Sequence, residues 1–329
     1  MYMLFVWSKL KHIWRMENRV YSLEPLSRQA IIEIEKGLKC SVEQLSRSTI
    51  VNNVDVQILI CRDRDDWNLI LYSFPNLRFI FILSVGVEKL PFDELIRRNI
   101  QVANPGGINA GIMSEYVMAS ILAHSTRLIE NINNQRAHVW KKFQCVDSLS
   151  GKTLLIIGAG RTGKLISKKA KAFNMNIIGI KKTLTVERDF DSIYGMEALD
   201  ESLSKADYVV CTIPLTKETE HLFNYDRFSK MKTTGYFINI SRGGLVVQTD
   251  LVKALNENII GGSMLDVFVK EPLESCDALW DIKELTITPH SSGRLENFID
   301  KTVPYIIDSI DAFIKNEPIP NKVNLKNGY

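Results

Sequence analysis

The sequence is short of several things, and each shortage removes a class of function. Cysteine is scarce: five in 329 residues, Cys40, Cys61, Cys145, Cys211 and Cys276, an odd number, far apart and without a C-x-x-C pair. They read as reduced thiols of a cytoplasmic protein, and no metal site is suggested. No apolar run reaches the roughly 20 residues that a transmembrane helix needs, so no membrane partner is expected. One sign of charge does not dominate either. A formal net charge of +3 from 41 basic and 38 acidic residues is too small, and too evenly spread, to point to nucleic acid. The start, MYMLFVWSKLKHIWR, has its charges on the wrong side for a secretory signal, and no small-residue cleavage site follows. Residues 1–15 read as an extension, either a mobile tail or a basic amphipathic anchor, and domain-like patterning begins after Met16. What is present is the composition of a soluble globular protein, 45% hydrophobic and 24% charged, and 329 residues imply two domains of about 150 each.

The most informative stretch is Thr153 to Lys182: an apolar run, a glycine-rich turn, an amphipathic segment and a second apolar run. That order is how a βαβ unit reads. Gly158, Gly160 and Gly163 form G-x-G-x-x-G where the first strand meets the helix. The first glycine allows the tight turn, the second lets a pyrophosphate approach the backbone, and the third lets helix and strand pack closely. Alone the motif is weak, since ordinary glycine turns share it; between two strands at this distance it indicates dinucleotide binding. An NAD site usually places Asp or Glu at the end of the second strand, but this chain has Lys181 and Lys182. A carboxylate there would repel a 2′-phosphate and a lysine pair would attract it, so NADP is expected, with NAD possible. Solvated loop lysines are the plain alternative.

From Arg19 the chain alternates strands (Val20–Leu23, Val56–Cys61, Arg78–Leu83, Ile100–Ala103) with helices (Ser27–Lys36, Trp67–Phe74, Phe92–Arg98). This predicts a first α/β domain with a small parallel sheet. The loop Ser84-Val85-Gly86-Val87 follows an apolar strand, where backbone N–H groups can receive a carboxylate. A long segment from Asn109 to about Trp140 is apolar nearly all round between Ile112 and Ala123, which predicts burial between domains or subunits. His124 and His138 lie on it without acid or metal partners and read as structural. After the glycine motif come strands Tyr208–Ile213, Tyr236–Ile240, Ser263–Val267 and Leu285–Thr288, then a last helix from about Leu295 to Lys315. In an open parallel sheet ligands bind beyond the carboxyl ends of the strands, and Arg242, Asp266, Glu271 and His290 all lie at or just past such ends.

Those residue types suit hydride transfer to a 2-oxo acid. Reduction builds negative charge on the carbonyl oxygen, so a fixed cation should polarise it and an acid should protonate it. Arg242 is the candidate cation, able to bridge the carbonyl and a neighbouring carboxylate. His290 is the candidate proton donor, and Glu271 would hold the imidazole and favour its charged form. Taken singly, each is equally well a surface charge, a loop acid or a capping side chain.

At GAGRTG (158–163), INISRGGLV (238–246), LDVFVKEPL (265–273) and ITPHSSG (287–293) the chain resembles the D-isomer-specific 2-hydroxyacid dehydrogenases, from about Arg19 to its end. The resemblance implies a Rossmann-type doubly wound cofactor domain inserted into a flavodoxin-like α/β substrate domain. The boundaries are 16–108 with 296–329 for the substrate-binding (catalytic) domain, and 109–295 for the dinucleotide-binding domain with its linking helix. It implies Arg242, Glu271 and His290 as the catalytic three, and Val85 and Gly86 as amide donors to the substrate carboxylate, with Arg242 and His290 also touching substrate. It implies a cofactor set of Gly158, Gly160, Arg161, Thr162, Gly163, Lys181, Lys182, Ile213, Pro214, Thr219, Ile240, Ser241 and Asp266, in which Asp266 meets the nicotinamide amide and Pro214 and Ile240 line the cleft. A homodimer is implied as well. Three residues depart from the family pattern: Lys181 for the Asp of NAD users, Ser84 for a common glycine, and Ser241 for Ala. The expected activity is an NADPH-preferring glyoxylate/hydroxypyruvate-type 2-oxo acid reductase. Its rivals are an NAD-dependent D-2-hydroxyacid dehydrogenase and a nucleotide-sensing, corepressor-like binding protein.

Overall fold

Apolar runs too short for a helix and without polar alternation are buried on both faces, which is the condition of a parallel strand covered by helices. The computed structural model describes residues 19–47, 55–142 and 145–326, and every strand pair in it is parallel. The extension expected over 1–15 lies outside the described residues. The chain forms two units: one runs to Ile108 and resumes at Glu296, and the other spans Asn109–Leu295.

The first unit holds β1 (Arg19–Ser22), β2 (Ser41–Gln44), β3 (Ile58–Cys61), β4 (Phe79–Ile82) and β5 (Gln101–Ala103) in the order β2-β1-β3-β4-β5. That is the flavodoxin-like order. Successive residues of a strand point to opposite faces, so each strand feeds two cores. Ile58, Ile60, Phe79 and Phe81 pack with Ile34 and with Val303, Ile306, Ile310 and Phe313 of the last helix, Phe298–Lys315. Leu59, Ile80, Ile82 and Val102 pack with Ile70, Phe74 and Leu95 on the opposite side. The C-terminal helix therefore returns to the first unit, and the tail follows it: Val323 N–H donates to the Val102 carbonyl at 2.8 Å.

The second unit holds β6 (Thr153–Ile157), β7 (Asn176–Ile180), β8 (Ser192–Tyr194), β9 (Tyr208–Cys211), β10 (Tyr236–Asn239), β11 (Gly262–Leu265) and β12 (Leu285–Ile287). Their order, β12-β11-β10-β9-β6-β7-β8, is the doubly wound nucleotide-binding arrangement with the chain reversing direction between β6 and β9. Helices Ala110–Ser125 and Arg161–Lys171 cover one face through Val117, Ile121, Ile166 and Ala170. Leu203, Phe228, Leu251 and Leu255 cover the other. The long segment after Asn109 is two helices, because Arg127 takes a left-handed conformation with φ 52° and a new helix starts at Leu128. Its first helix buries one face against the second unit's own sheet. Among the described residues no helix is long and apolar enough to cross a membrane.

Because Ile310 is fully buried on the sheet-facing side of the last helix, replacing it with Ala should destabilise the protein by about 2–5 kcal/mol in urea unfolding. A loss under about 1 kcal/mol would show that the helix contributes little to that core.

Candidate active site

The adjacency of β10, β11 and β12 explains why residues distant in sequence are assembled in one place. Asn239 pairs with Leu265, and Leu265 with Ile287, so three neighbouring strands end side by side. Strands in a sheet are about 4.8 Å apart, which places the residues just past their ends within reach of one another.

Asp266, directly after β11, is fully buried. Its carboxylate accepts from the Thr288 hydroxyl at 2.6 Å, from Ser291 N–H at 2.8 Å and from Ser292 N–H at 2.9 Å, and its carbonyl accepts from His290 N–H at 2.8 Å. Together these shape the loop after β12. His290 sits there with φ 50°, a left-handed conformation that costs a non-glycine residue about 1–3 kcal/mol and persists only where its surroundings enforce it. In the structure the Asp266 carboxylate holds the histidine loop.

Glu271 completes the arrangement from the β11 side. One of its oxygens accepts from Phe268 N–H at 2.9 Å, and the other lies 2.7 Å from His290 Nδ1. A carboxylate only accepts, so Nδ1 carries the hydrogen and Nε2 remains for proton transfer. The pair is in reach of solvent, the imidazole 49% and the carboxyl 35% exposed.

Arg242 is held by its backbone. Asn239, fully buried at the end of β10, donates from Nδ2 to the Arg242 carbonyl at 2.9 Å and accepts from Ser241 N–H at 3.0 Å. The next residue, Gly243, packs so tightly that a Cβ would lie 2.0 Å from the Phe268 carbonyl carbon. The Arg242 loop is thus pressed against the loop that carries Glu271. Ser241, buried, donates through its hydroxyl to the Ile213 carbonyl, a bond that alanine at this position could not make.

The glycine loop has the features a dinucleotide requires. Gly158 has φ +107° and a Cβ there would meet the Thr212 hydroxyl at 2.6 Å, while one on Gly163 would lie 2.3 Å from the Gly158 carbonyl oxygen. Gly160 is different: a Cβ there would meet nothing within 4 Å, so no packing demands glycine and the open side is left for a pyrophosphate. It is also the N-cap of the helix starting at Arg161, with no side chain closing the first-turn N–H groups of Thr162 and Gly163. Thr219 closes its own loop, its hydroxyl donating to the Pro214 carbonyl at 2.8 Å, while Pro214 is exposed and Ile213 half-buried. Ile240 is buried in the core with Val117, Ile238 and Met264. Lys181 and Lys182 are both paired, with Glu187 at 2.9 Å and Glu218 at 3.2 Å.

Val85 and Gly86 belong to the first unit. Asn104 Nδ2 donates to the Val85 carbonyl at 2.8 Å, and the Ser84 hydroxyl spans the Gly86 carbonyl and Asp63, each at 3.0 Å. Serine in place of glycine therefore fixes the loop. His124 is structural: its ring stacks on Tyr236 at 3.9 Å, and burial, then Arg127, pushes its imidazole below the usual range. Among the described residues no group of three or more His, Cys, Asp or Glu is placed to hold a metal. Three residues of the site carry no signal in the sequence beyond being polar where a strand or loop ends: Asn239, Thr212 and Glu187.

Residues 118–292 match the family model of the D-isomer specific 2-hydroxyacid dehydrogenase NAD-binding domain. The chain belongs to that family and is an NAD(P)-dependent oxidoreductase of the 2-hydroxyacid dehydrogenase class. It is 32% identical over 283 residues to the glyoxylate reductase of Pyrococcus horikoshii, covering 83% of this chain and 84% of that one. The glyoxylate reductase of Thermococcus litoralis is 33% identical over 284 residues, covering 83% and 85%. Among solved structures, a D-isomer specific 2-hydroxyacid dehydrogenase family protein from Aeromonas salmonicida subsp. salmonicida is 28% identical with a TM-score of 0.81, covering 94% of this chain and 99% of that one.

Replacing Gly243 with Ala should part the Arg242 and Glu271 loops. The expected outcome is a destabilisation of about 1–3 kcal/mol in chemical denaturation together with a fall in kcat/KM. Unaltered values of both would show that the contact between the loops is dispensable.

Proposed function

We propose that this protein reduces glyoxylate or a close 2-oxo acid such as hydroxypyruvate, with NADPH as the preferred donor. The observation that carries this is the 2.7 Å pair of Glu271 and His290, set on the loop that Asp266 holds. When bound, the nicotinamide supplies the hydride. His290 donates the proton to the carbonyl oxygen from Nε2, and Glu271 keeps the ring turned for that transfer. Arg242 draws the carbonyl and its carboxylate into line. The N–H groups of Val85 and Gly86, which make no hydrogen bond among the described residues, are donors suited to a carboxylate. The unit spanning Asn109–Leu295 carries the glycine loop and with it the dinucleotide site.

Glyoxylate is favoured as substrate because both archaeal relatives are glyoxylate reductases. NADPH is favoured because the strand after the glycine motif ends in lysine rather than an acid. A homodimer in the cytoplasm belongs to the same proposal, supported by large exposed apolar side chains at Leu128, Ile129, Val139 and Trp140. A purely nucleotide-sensing protein has less support, since it needs no oriented Glu–His pair.

Two measurements test this reading. His290→Ala should lower glyoxylate reduction by about a hundredfold or more while cofactor affinity stays nearly constant; unchanged turnover would remove His290 from proton donation. Steady-state kinetics with both reduced cofactors should give a higher kcat/KM with NADPH, and a clear NADH preference would end that part of the proposal.

A further inference from the structure

The carboxylate absent from the end of β7 returns six residues later. Glu187 places one oxygen 2.6 Å from Lys164 Nζ and the other 2.9 Å from Lys181 Nζ, and it also accepts from the Thr185 hydroxyl at 2.8 Å. Its side chain is only 15% exposed. Lys164 lies in the first turn of the helix that opens at the glycine loop, and Lys181 is the first residue after β7. These two ammonium groups define one anion position, beside the place where the adenosine ribose of a doubly wound fold is held.

The loop that delivers Glu187 is anchored along the residues that follow it. Ser167 donates its hydroxyl to the Asp189 carbonyl. Phe190 fills the space beside Gly179, where a Cβ would lie 2.8 Å from its ring. Asp191 accepts from Ile177 N–H at 2.6 Å and from Lys171 Nζ at 2.7 Å. The acid therefore has a built position between the lysines. Lys164 first, and Lys181 after it, hold the Glu187 carboxyl at about 2, so it is charged at any pH near neutrality.

We propose that Glu187 is a cofactor-selecting residue, its carboxylate competing within the chain for Lys164 and Lys181 against the 2′-phosphate of NADP(H). A phosphate and a carboxylate need the same two cations and repel each other, so the 2′-phosphate must displace Glu187 to gain them. A 2′-hydroxyl carries no such penalty. Lys181 thus favours NADP(H) less than its position in the sequence suggests, and Glu187 sets the ratio. This inference rests on the glycine loop being the dinucleotide site.

Calorimetric titration of the full chain with adenosine 2′,5′-bisphosphate and with 5′-AMP tests it without any turnover. Glu187→Gln keeps the shape and removes the charge. Its Kd for the bisphosphate should fall about tenfold, the value of one charge-assisted hydrogen bond, with 5′-AMP changed less than about twofold. Lys164→Met should weaken the bisphosphate selectively by a similar factor. Unchanged bisphosphate affinity in Glu187→Gln, or equal tightening of both probes, overturns the proposal. If no variant nor the parent binds either probe, the dinucleotide site itself is misplaced and the inference falls with it. A parent that prefers NADH, with Glu187→Gln shifted toward the bisphosphate, refutes the NADPH preference and sustains the role of Glu187.

Discussion

A carboxylate removed from water must be given donors, and most of what is distinctive here follows from how Asp266 is given them. A buried charge without partners costs several kcal/mol, enough to consume much of a domain's stability. Asp266 meets that demand with two backbone N–H groups and a hydroxyl, all from residues 288–292. The loop after β12 cannot relax without exposing or orphaning this group. His290 is therefore kept in a backbone conformation that its own side chain would not choose, and the imidazole arrives beside Glu271. The orientation of the histidine is coupled to the folding of the sheet, which is how a fold holds a side chain still without burying it.

Carboxylates elsewhere in the second unit are handled differently. Glu271 is divided between a backbone N–H and an imidazole, and Glu187 between two lysines. The first arrangement orients a neighbour. The second neutralises charge at a position where an anion is expected, and does so from a loop pinned to the helix and strands around it. Glu271 with His290, and Glu187 with Lys164, are pairings between elements that the doubly wound topology brings together.

Much of the fold was legible in the residues. ILIC, FIFI, YVVC and YFIN are strands because they are short, predominantly apolar runs buried on both faces, and the glycine spacing marks the first crossover. Missed elements have physical reasons. The edge strand SVEQ is mostly exposed and polar, SIY is three residues long, and the helix LDESLSK buries only a narrow stripe. The long apolar helix conceals a break because a left-handed arginine leaves no mark in composition. In the site, strand ends were enough to select Arg242, Glu271 and His290 as candidates. Asn239, Thr212 and Glu187 were invisible because a polar residue at a loop has many uses, and its partner decides which one applies. Lys181 shows the same limit: its position was readable, but the acid that shares its charge was not.

The central claim is that Glu271 fixes the His290 ring through Nδ1, leaving Nε2 for proton transfer. Nitrogen-15 NMR of histidine-labelled protein, with His290 assigned by its loss in a His290→Gln variant, reads this directly at a pH where the ring is neutral. The account predicts an Nδ1-protonated ring with a bare Nε2. A ring protonated at Nε2, with Nδ1 bare, would contradict it.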